Sequence, residues 1–481
     1  MAIEISFVSI ISIISFGISA ITGIFIARTL STSDYGVMVY FSSIYIFGTL
    51  LIGFGLNTQT INEIAGRLDK KDELKGRFTS LLVLRLMTLV PLIILGFALT
   101  LIIHNKLYLY VSIAASITVL ADFFLSVLRG LQRIYGVTFA LLFQSVIYLL
   151  ILSAGAVYSV NTIFGAIVMS FTLVSIFAVS IIAQSRSLTL YRKFHFSYLD
   201  VKDFIRPSAL IYGIALFQVG YSVYATLLLG ASANFNEAAQ LSPPLTLVRL
   251  LPLALSPLLS TIFYPRICLL YAKKDNDSLI RLVSLFYKLF AALTICMMVL
   301  FFCYPDVIIN ILYTEKFYTS IPYLAILAPL GFILAIENIF TLSLIGVKAS
   351  RKALLTLGIR FGLLVLAISV ILAFGFSNQL LLFTSAYLLT GLIGLIIEYW
   401  QVQDETHLKL PIFRTLIVGI CAVIIGFGLR ADLPNLSQPI FSNIYKTILT
   451  GSVVIVLITS GLFLDEIRIL FAKLVVFRKN G

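Results

Sequence analysis

Long apolar segments separated by short polar connections run through almost the whole chain. An α-helix needs about 20 apolar residues to cross a hydrocarbon core of roughly 30 Å. The segments that meet this requirement are 5–27, 36–56, 80–103, 107–128, 138–158, 162–183, 208–230, 243–264, 283–303, 321–345, 353–374, 380–400, 411–429 and 445–464. The pattern predicts an all-α integral membrane protein with about fourteen transmembrane helices.

The composition supports the same class of protein. Hydrophobic residues make up 60% of the 481 positions and charged residues only 11%, and the mean hydropathy is +1.07. Soluble domains carry about 25% charged residues. The first apolar segment has no basic n-region and no small-residue cleavage site after it, so we expect it to remain as a helix and not to be removed as a signal peptide.

Lysine and arginine are distributed unevenly between the two sides of this predicted topology. One side and the C-terminal tail hold 25 of these residues, the other side holds five, and the remaining four lie inside spans. Basic connections stay cytoplasmic, so both termini are predicted to be cytoplasmic. This asymmetry explains the net charge of +13 through contact with anionic lipid headgroups, and nucleic-acid binding need not be invoked.

A stretch of basic and acidic residues occurs twice in the chain. Lys70–Asp72 returns as Lys273–Asp275, and Arg85 corresponds to Lys288 at the same offset of 203 residues. The alternative is chance similarity between apolar helices that are joined by basic loops.

A second pair of matching positions lies further along the chain. Gly130 and Gly346 follow the fourth and tenth spans, with Asp122 and Glu337 eight and nine residues before them. Both copies run in the same sense, six helices apart, which predicts two six-helix bundles related by a pseudo-twofold axis along the membrane normal, plus two C-terminal helices. The predicted parts are the bundle 1–183, an amphipathic cytoplasmic linker 184–207, the bundle 208–400, and two extra helices with a tail, 401–481.

Motifs for enzymatic chemistry are missing from the sequence. There is no phosphate-binding loop of the Gly-x-x-x-x-Gly-Lys-Ser/Thr type, and the three histidines and four cysteines show no metal-ligand spacing. We therefore predict no catalytic residues, no bound metal and no cofactor.

Six charged residues lie five or more positions from the nearest end of a predicted span, and a charge at the bilayer centre costs at least ~2.5 to 3.5 kcal/mol. Snorkelling to the interface would explain the basic ones equally well, but Glu337 lies too deep for that. The six residues are Glu337, Asp122, Arg85, Lys288, Arg249 and Arg360.

The basic residues are predicted to line a cavity between the bundles. Arg28 and Arg249 approach its outer side, while Arg85, Lys288 and Arg360 approach from the cytoplasmic side. Such a cavity would suit an anionic headgroup, because arginine can bind pyrophosphate oxygens in bidentate fashion. Outward movement of a negative charge also gains about 2.3 kcal/mol per 100 mV, inside negative.

Four short motifs lie at the ends of predicted spans: Ala27–Gly36, Gly130–Arg133, Tyr264–Arg266 and Tyr313–Phe317. They resemble motifs of bacterial polysaccharide repeat-unit flippases, the O-antigen transporter (Wzx-type) branch of the multidrug/oligosaccharidyl-lipid/polysaccharide exporter superfamily. The sequence departs from the family pattern at Ser31, where the family commonly has glycine, and at Asn57-Thr58, where it has a proline-containing turn.

The resemblance implies a fold like that of the multidrug and toxin extrusion (MATE) transporters and a position in the bacterial inner membrane. It implies that the protein flips undecaprenyl-diphosphate-linked oligosaccharide units to the periplasmic leaflet, for O-antigen, capsule or exopolysaccharide assembly, by alternating access. Polysaccharide polymerase machinery would be a further partner. By the same resemblance Arg28 is the counterpart of the basic residue after the first helix, and Arg249 is the counterpart of a cavity arginine in the eighth helix. We expect Glu337 and Asp122 to couple transport to a proton or sodium gradient.

Two other functions remain as alternatives. A cation-coupled multidrug exporter of the same superfamily would favour acidic and aromatic cavity residues, whereas the charges here are mainly basic. A membrane glycosyltransferase or polymerase of the same pathway would need a large external loop, and the longest outer connections, 231–242 and 304–320, are short.

Overall fold

The protein is helical throughout the part of the chain that the structure describes. The computed structural model describes residues 2–53, 56–65, 71–154, 159–184, 198–376, 378–406 and 412–432, together with 450, 453, 454 and 458. Its first eight helices are α1 (Ala2–Thr29), α2 (Thr32–Gly53), α3 (Leu56–Ala65), α4 (Lys71–Ile103), α5 (Leu107–Gly130), α6 (Ile134–Ala154), α7 (Val160–Gln184) and α8 (Tyr198–Ala231).

Eight further α-helices follow, with one π-helical and one 3₁₀ segment between them. They are α9 (Phe235–Leu258), a π turn (Leu259–Phe263), α10 (Tyr264–Ala272), α11 (Asn276–Cys303), α12 (Pro305–Tyr313), a 3₁₀ helix (Glu315–Ser320), α13 (Ile321–Gly346), α14 (Ser350–Phe374), α15 (Gln379–Thr406) and α16 (Ile412–Asp432).

The predicted spans agree with these helices. Within the described residues, eleven helices are long and apolar enough to cross a membrane, and shorter apolar helices cover Ile14–Thr29 and Ile417–Phe427. The described residues of every predicted span from 5–27 to 411–429 are helical, whereas most of the span 445–464 lies outside the described residues. The all-α membrane fold is confirmed, and the number fourteen stays a prediction.

The helices group into two compact units. The first unit is Met1–Ala239 and the second is Gln240–Gly481, so the boundary falls inside α9. In the first unit, α8 packs against α2. The predicted linker 184–207 contains residues 185–197, which lie outside the described residues, and residues 198–207, which form the start of α8. The proposed bundle boundaries remain a prediction.

Within each unit one helix is packed between several others. In the first unit α5 contacts α4, α7 and α2, and in the second unit α13 contacts α11 and α15. Asp122 lies on α5 and Glu337 on α13. The two acidic residues of the predicted repeat therefore lie on helices that pack against several other helices of their own units.

The corner after α5 and the corner after α13 have the same backbone structure. Gln132 and Lys348, 216 residues apart, both adopt left-handed conformations with φ of 58° and 64°. The next amide closes a six-residue ring in each case: Arg133 N–H donates to Leu128 O at 2.9 Å and Ala349 N–H to Leu344 O at 2.7 Å. This Schellman-type ending satisfies helix carbonyls that would otherwise lack donors.

Glycine precedes each corner because another helix passes very close to it. A Cβ atom at Gly130 would lie 2.6 Å from Cβ of Ile64 on α3, and one at Gly346 would lie 2.5 Å from Cγ2 of Ile267 on α10. Ile64 and Ile267 are 203 residues apart. The offset between the copies rises from 203 to 216 because α12 and the 3₁₀ helix replace the short turn between α4 and α5.

The motif around the second helix also has a structural explanation. Ser31, which departs from the family glycine, accepts a hydrogen bond from the Asp34 amide at 3.1 Å and donates to the Asp34 carboxylate at 2.6 Å. Such a side-chain cap satisfies a free amide at the start of α2. Gly36 is required by space, because a Cβ atom there would lie 1.8 Å from the carbonyl oxygen of Phe235.

Candidate functional site

Three buried charged residues from three helices meet in the second unit. Arg360 on α14 forms an ion pair with Glu337 on α13, and both side chains are almost fully buried. Glu398 on α15 is also fully buried and lies within electrostatic range of Arg360. We refer to Glu337, Arg360 and Glu398 as the buried triad.

Hydrogen bonding at the buried triad is incomplete in the described part of the chain. Thr341 on α13 donates its hydroxyl to Oε1 of Glu398 at 2.9 Å. Oε1 of Glu337 and Oε2 of Glu398 have no hydrogen-bond donor among the described residues, and neither does Oε1 of Gln401, one turn after Glu398. Buried oxygens without donors are costly, so they are suitable acceptors for an added proton or a small cation.

The charge balance of the buried triad also favours the gain of a positive charge. One guanidinium faces two carboxylates, so the three ionised side chains would carry a net charge of −1 in a buried place. Uncompensated buried charge is strongly unfavourable. Binding one proton or one monovalent cation would bring the triad to neutrality.

Packing fixes the side chain of Arg360 against α15. A Cβ atom at Gly394 would lie 2.7 Å from Cδ and 3.1 Å from Cγ of Arg360. Gly394 lies one turn before Glu398 on the same helix, so α15 supplies both the space for the arginine stem and a carboxylate for its charge.

A second group of charges lies in the first unit, around Arg85 on α4. This buried side chain donates a hydrogen bond to Ile52 O at 3.2 Å and another to Oδ1 of Asn57. Asp122 on α5 interacts electrostatically with Arg85 and with Arg129. Arg85 thus joins the end of α2 and the start of α3 to α4, and it compensates part of the charge of Asp122.

Arg249 on α9 lies beside an aromatic ring of its own unit. Its guanidinium carbon is 5.9 Å from the ring centroid of Tyr387 on α15, which is within cation–π distance. Arg249 is half-buried, and the proline residues Pro243, Pro244 and Pro252 occupy the same helix.

The two remaining predicted cavity cations are Arg28 and Lys288. Arg28 is exposed in the last turn of α1, and Lys288 is half-buried on α11; each has an interaction partner. The structure therefore brings Glu337 together with Arg360, and Asp122 with Arg85. A common cavity that contains Arg28, Arg85, Arg249, Lys288 and Arg360 stays a prediction.

Sequence reasoning did not identify Glu398, Thr341 or Asn57 as site residues. The predicted span ended at residue 400, which put Glu398 near the interface, whereas α15 continues to Thr406. The helical, polar stretch after Trp400 was the available signal that this carboxylate lies well inside a helix.

The long apolar helices define a multi-pass α-helical membrane protein, and solved structures share its fold. An inward-facing multidrug resistance transporter of the MATE family is 15% identical with a TM-score of 0.65, covering 82% of this chain and 95% of that one. The lipid II flippase MurJ in an inward closed conformation is 12% identical with a TM-score of 0.65, covering 96% of this chain and 99% of that one.

The sequence itself matches a family model. Residues 25–322 match the model described as "Polysaccharide biosynthesis protein". This match covers more than half of the chain, so the protein belongs to the polysaccharide biosynthesis protein family. No curated protein gives a significant match to the sequence. The resemblance that the short motifs indicated is thus confirmed at the level of family and fold.

Proposed function

We propose that the protein is a flippase for polyprenyl-diphosphate-linked oligosaccharides in the bacterial inner membrane. The observation that carries this proposal is the match of residues 25–322 to the polysaccharide biosynthesis family, on a fold shared with a lipid II flippase. A repeat unit built on a lipid diphosphate at the cytoplasmic face must reach the outer leaflet before it is polymerised. Both termini are cytoplasmic in this proposal, and polymerase machinery receives the flipped product.

Cationic residues are proposed to bind the diphosphate. Arg249 is the first of these, because it is half-buried and beside Tyr387, whose ring can stack with the guanidinium or with a sugar face. Arg28, Arg85 and Lys288 are the further candidates. The planar guanidinium of arginine can donate two parallel hydrogen bonds to a phosphate, whereas the ammonium of lysine is a point charge.

The buried triad is proposed to couple this movement to an ion gradient. Glu337 and Glu398 share the single guanidinium of Arg360, so a proton or sodium ion would neutralise the group and release Arg360 from one carboxylate. Asp122 beside Arg85 is the corresponding candidate in the first unit. The protein performs no covalent chemistry in this proposal.

The test is the leaflet in which the lipid-linked oligosaccharide accumulates. We expect that depletion of the protein leaves these lipids accessible only to reagents at the cytoplasmic face. Wild-type protein should restore outward movement, whereas Arg249→Ala and Glu337→Gln should not at equal protein levels. Arg351→Ala, which changes an exposed arginine in the first turn of α14, is the matched control and should restore it fully. Normal flipping by both site variants would contradict the assignment of these residues.

A cation-coupled multidrug exporter is the second candidate, because MATE transporters share the fold at a TM-score of 0.65. If depletion leaves lipid-linked oligosaccharides on the outer face while export of cationic dyes falls, the flippase proposal is wrong and the exporter is correct.

A further inference from the structure

Two exposed arginines border an open groove between α10 and α11. Arg266 and Arg281 lie at its edges, Ser278 contributes a hydroxyl, and leucines, among them Leu269 and Leu285, form its apolar wall. The groove has a volume of about 410 Å³. Leu269 and Leu285 are 54% and 51% exposed, so the apolar wall is open to the surroundings of the protein. We call this feature the α10–α11 groove.

The predicted spans place the groove near the boundary of the bilayer. The helix α10 separates the apolar spans Phe235–Ser256 and Asn276–Cys303. Leu285 lies in the sequence-predicted span 283–303, whereas Arg266 and Arg281 both precede that span. A molecule in this groove would therefore contact cations at the interface and leucines at the start of the hydrocarbon region.

In the equivalent corner of the first unit, the arginine is paired with an acidic residue. There, Glu63 on α3 and Arg77 on α4 form an ion pair at 3.8 Å between Oε2 and Nε. Arg266 follows Glu63 by 203 residues, which is the offset of the repeat, and Arg281 lies one residue beyond the counterpart of Arg77. The second unit has thus replaced the acidic partner with a second arginine.

The charges around the groove leave it positive. Asp277 accepts a hydrogen bond from Arg281 through its backbone carbonyl at 3.4 Å, and Asp275 interacts electrostatically with Arg281 and Lys273. Hydrogen bonds from Ser278 hold the pKa of Asp275 below its usual range, so this carboxylate is ionised near neutral pH. With Lys274, residues 266–281 carry four cations and two carboxylates.

We propose that the α10–α11 groove binds an anionic phospholipid of the surrounding leaflet. The phosphate would lie between Arg266 and Arg281, where guanidinium groups can donate to its oxygens, and an acyl chain would lie along Leu269 and Leu285. A zwitterionic lipid would bring its own ammonium group to the same cations and bind less well. This site goes beyond the proposed transport function and does not depend on it.

The experiment measures lipid binding to the purified full-length protein in detergent. Phosphatidylglycerol or phosphatidylcholine is added at increasing concentrations, and the number of bound lipid molecules is measured by native mass spectrometry. We expect saturable binding of phosphatidylglycerol at least tenfold tighter than that of phosphatidylcholine. The paired variant Arg266→Gln with Arg281→Gln should remove this preference, and Leu269→Asn with Leu285→Asn should weaken phosphatidylglycerol binding while the arginines remain.

The matched control is the pair Lys348→Gln and Arg351→Gln at the exposed corner between α13 and α14. Glutamine is suitable at position 348 because Gln132 occupies the equivalent left-handed position. Loss of phosphatidylglycerol preference in the control pair would show general charge attraction and overturn the proposal. Equal binding of both lipids by the wild-type protein would also overturn it.

A polyprenyl diphosphate added in competition separates a leaflet lipid from the transport substrate. If it displaces phosphatidylglycerol at one tenth of the phospholipid concentration, the groove is a substrate site and the proposal is wrong. If phosphatidylglycerol remains bound, the proposal stands whatever the leaflet assay for flipping shows.

Discussion

Gly394 and Arg360 occupy adjoining space at the contact between α15 and α14. A Cβ atom at Gly394 would come within 2.7 Å of Cδ of Arg360. The arginine stem therefore fills the volume that any other residue at position 394 would need. Because the same arginine pairs with Glu337, the geometry of a buried ion pair depends on an uncharged residue of a third helix.

Gly394→Ala should therefore displace Arg360 and impair the proposed coupling. Overpacking of this kind costs typically about 1 to 3 kcal/mol of stability. We expect a lower unfolding temperature of the purified protein and reduced outward movement of lipid-linked oligosaccharide. Gly362→Ala on α14 is the control, because a Cβ atom there has no neighbour within 4 Å. Equal effects of the two variants would contradict the steric role of Gly394.

Removal of Arg360 alone should be more harmful than removal of the ion pair. Arg360→Gln leaves Glu337 and Glu398 buried without their cation, and breaking a buried pair in this way costs about 3 to 5 kcal/mol. The double variant Glu337→Gln with Arg360→Gln removes one carboxylate as well and should recover part of this loss. A double-mutant cycle on the unfolding free energy measures the recovery, which we expect at about 0.5 to 3 kcal/mol. Strict additivity of the two single changes would show that the residues do not interact.

The aromatic neighbour of Arg249 should be replaceable by another aromatic residue. Tyr387→Phe keeps a ring at 5.9 Å from the guanidinium, whereas Tyr387→Leu removes the cation–π contact, worth about 0.5 to 2 kcal/mol. In the leaflet assay, we expect Tyr387→Phe to support flipping close to wild type and Tyr387→Leu to support less. If both variants act alike at equal protein levels, the ring does not position Arg249.

The two corner glycines should respond differently to second-site changes. At Gly346 the nearest atom to an added Cβ is Cγ2 of Ile267 at 2.5 Å, with Cβ at 3.2 Å. Ile267→Ala removes that Cγ2 and should restore much of the stability that Gly346→Ala loses.

At Gly130 the corresponding contact is with Cβ of Ile64 at 2.6 Å, which alanine retains. Ile64→Ala should therefore not rescue Gly130→Ala. Unfolding temperatures and protein levels of the four single and two double variants decide the question. Rescue at both corners, or at neither, would contradict the distances.

The sequence was sufficient to predict the all-α membrane fold, the family and the spans that lie in the described part of the chain. Apolar segments of about 20 residues have few alternatives to membrane helices, and the charged connections mark where each one ends. Positions such as Gly130 and Gly346 could be matched because the corners they begin require the same backbone geometry in both halves.

The partners of the buried charges could not be predicted in the same way. A helix that faces lipid on one side and other helices on the other is apolar all round, so its sequence does not reveal which face is turned inward. The pairing of Arg360 with Glu337 and Glu398 depends on the rotation of α13, α14 and α15 about their axes. The short helices α3 and α10 were missed because they are shorter than a membrane span.

The π turn from Leu259 to Phe263 determines the directions in which the side chains of α10 point. A π turn is equivalent to one surplus residue in an α-helix, and each residue of an α-helix turns the chain by about 100°. In the first unit, α2 ends at Gly53 and α3 begins at Leu56, 203 residues before Leu259. The offset between the halves is 203 residues on both sides of this turn, because α2 and α9 begin at Thr32 and Phe235, and Ile64 and Ile267 contact the corner glycines. Loss of one residue from this turn would rotate α10 by about 100° relative to α9, so the position of Arg266 at the edge of the groove depends on the π turn.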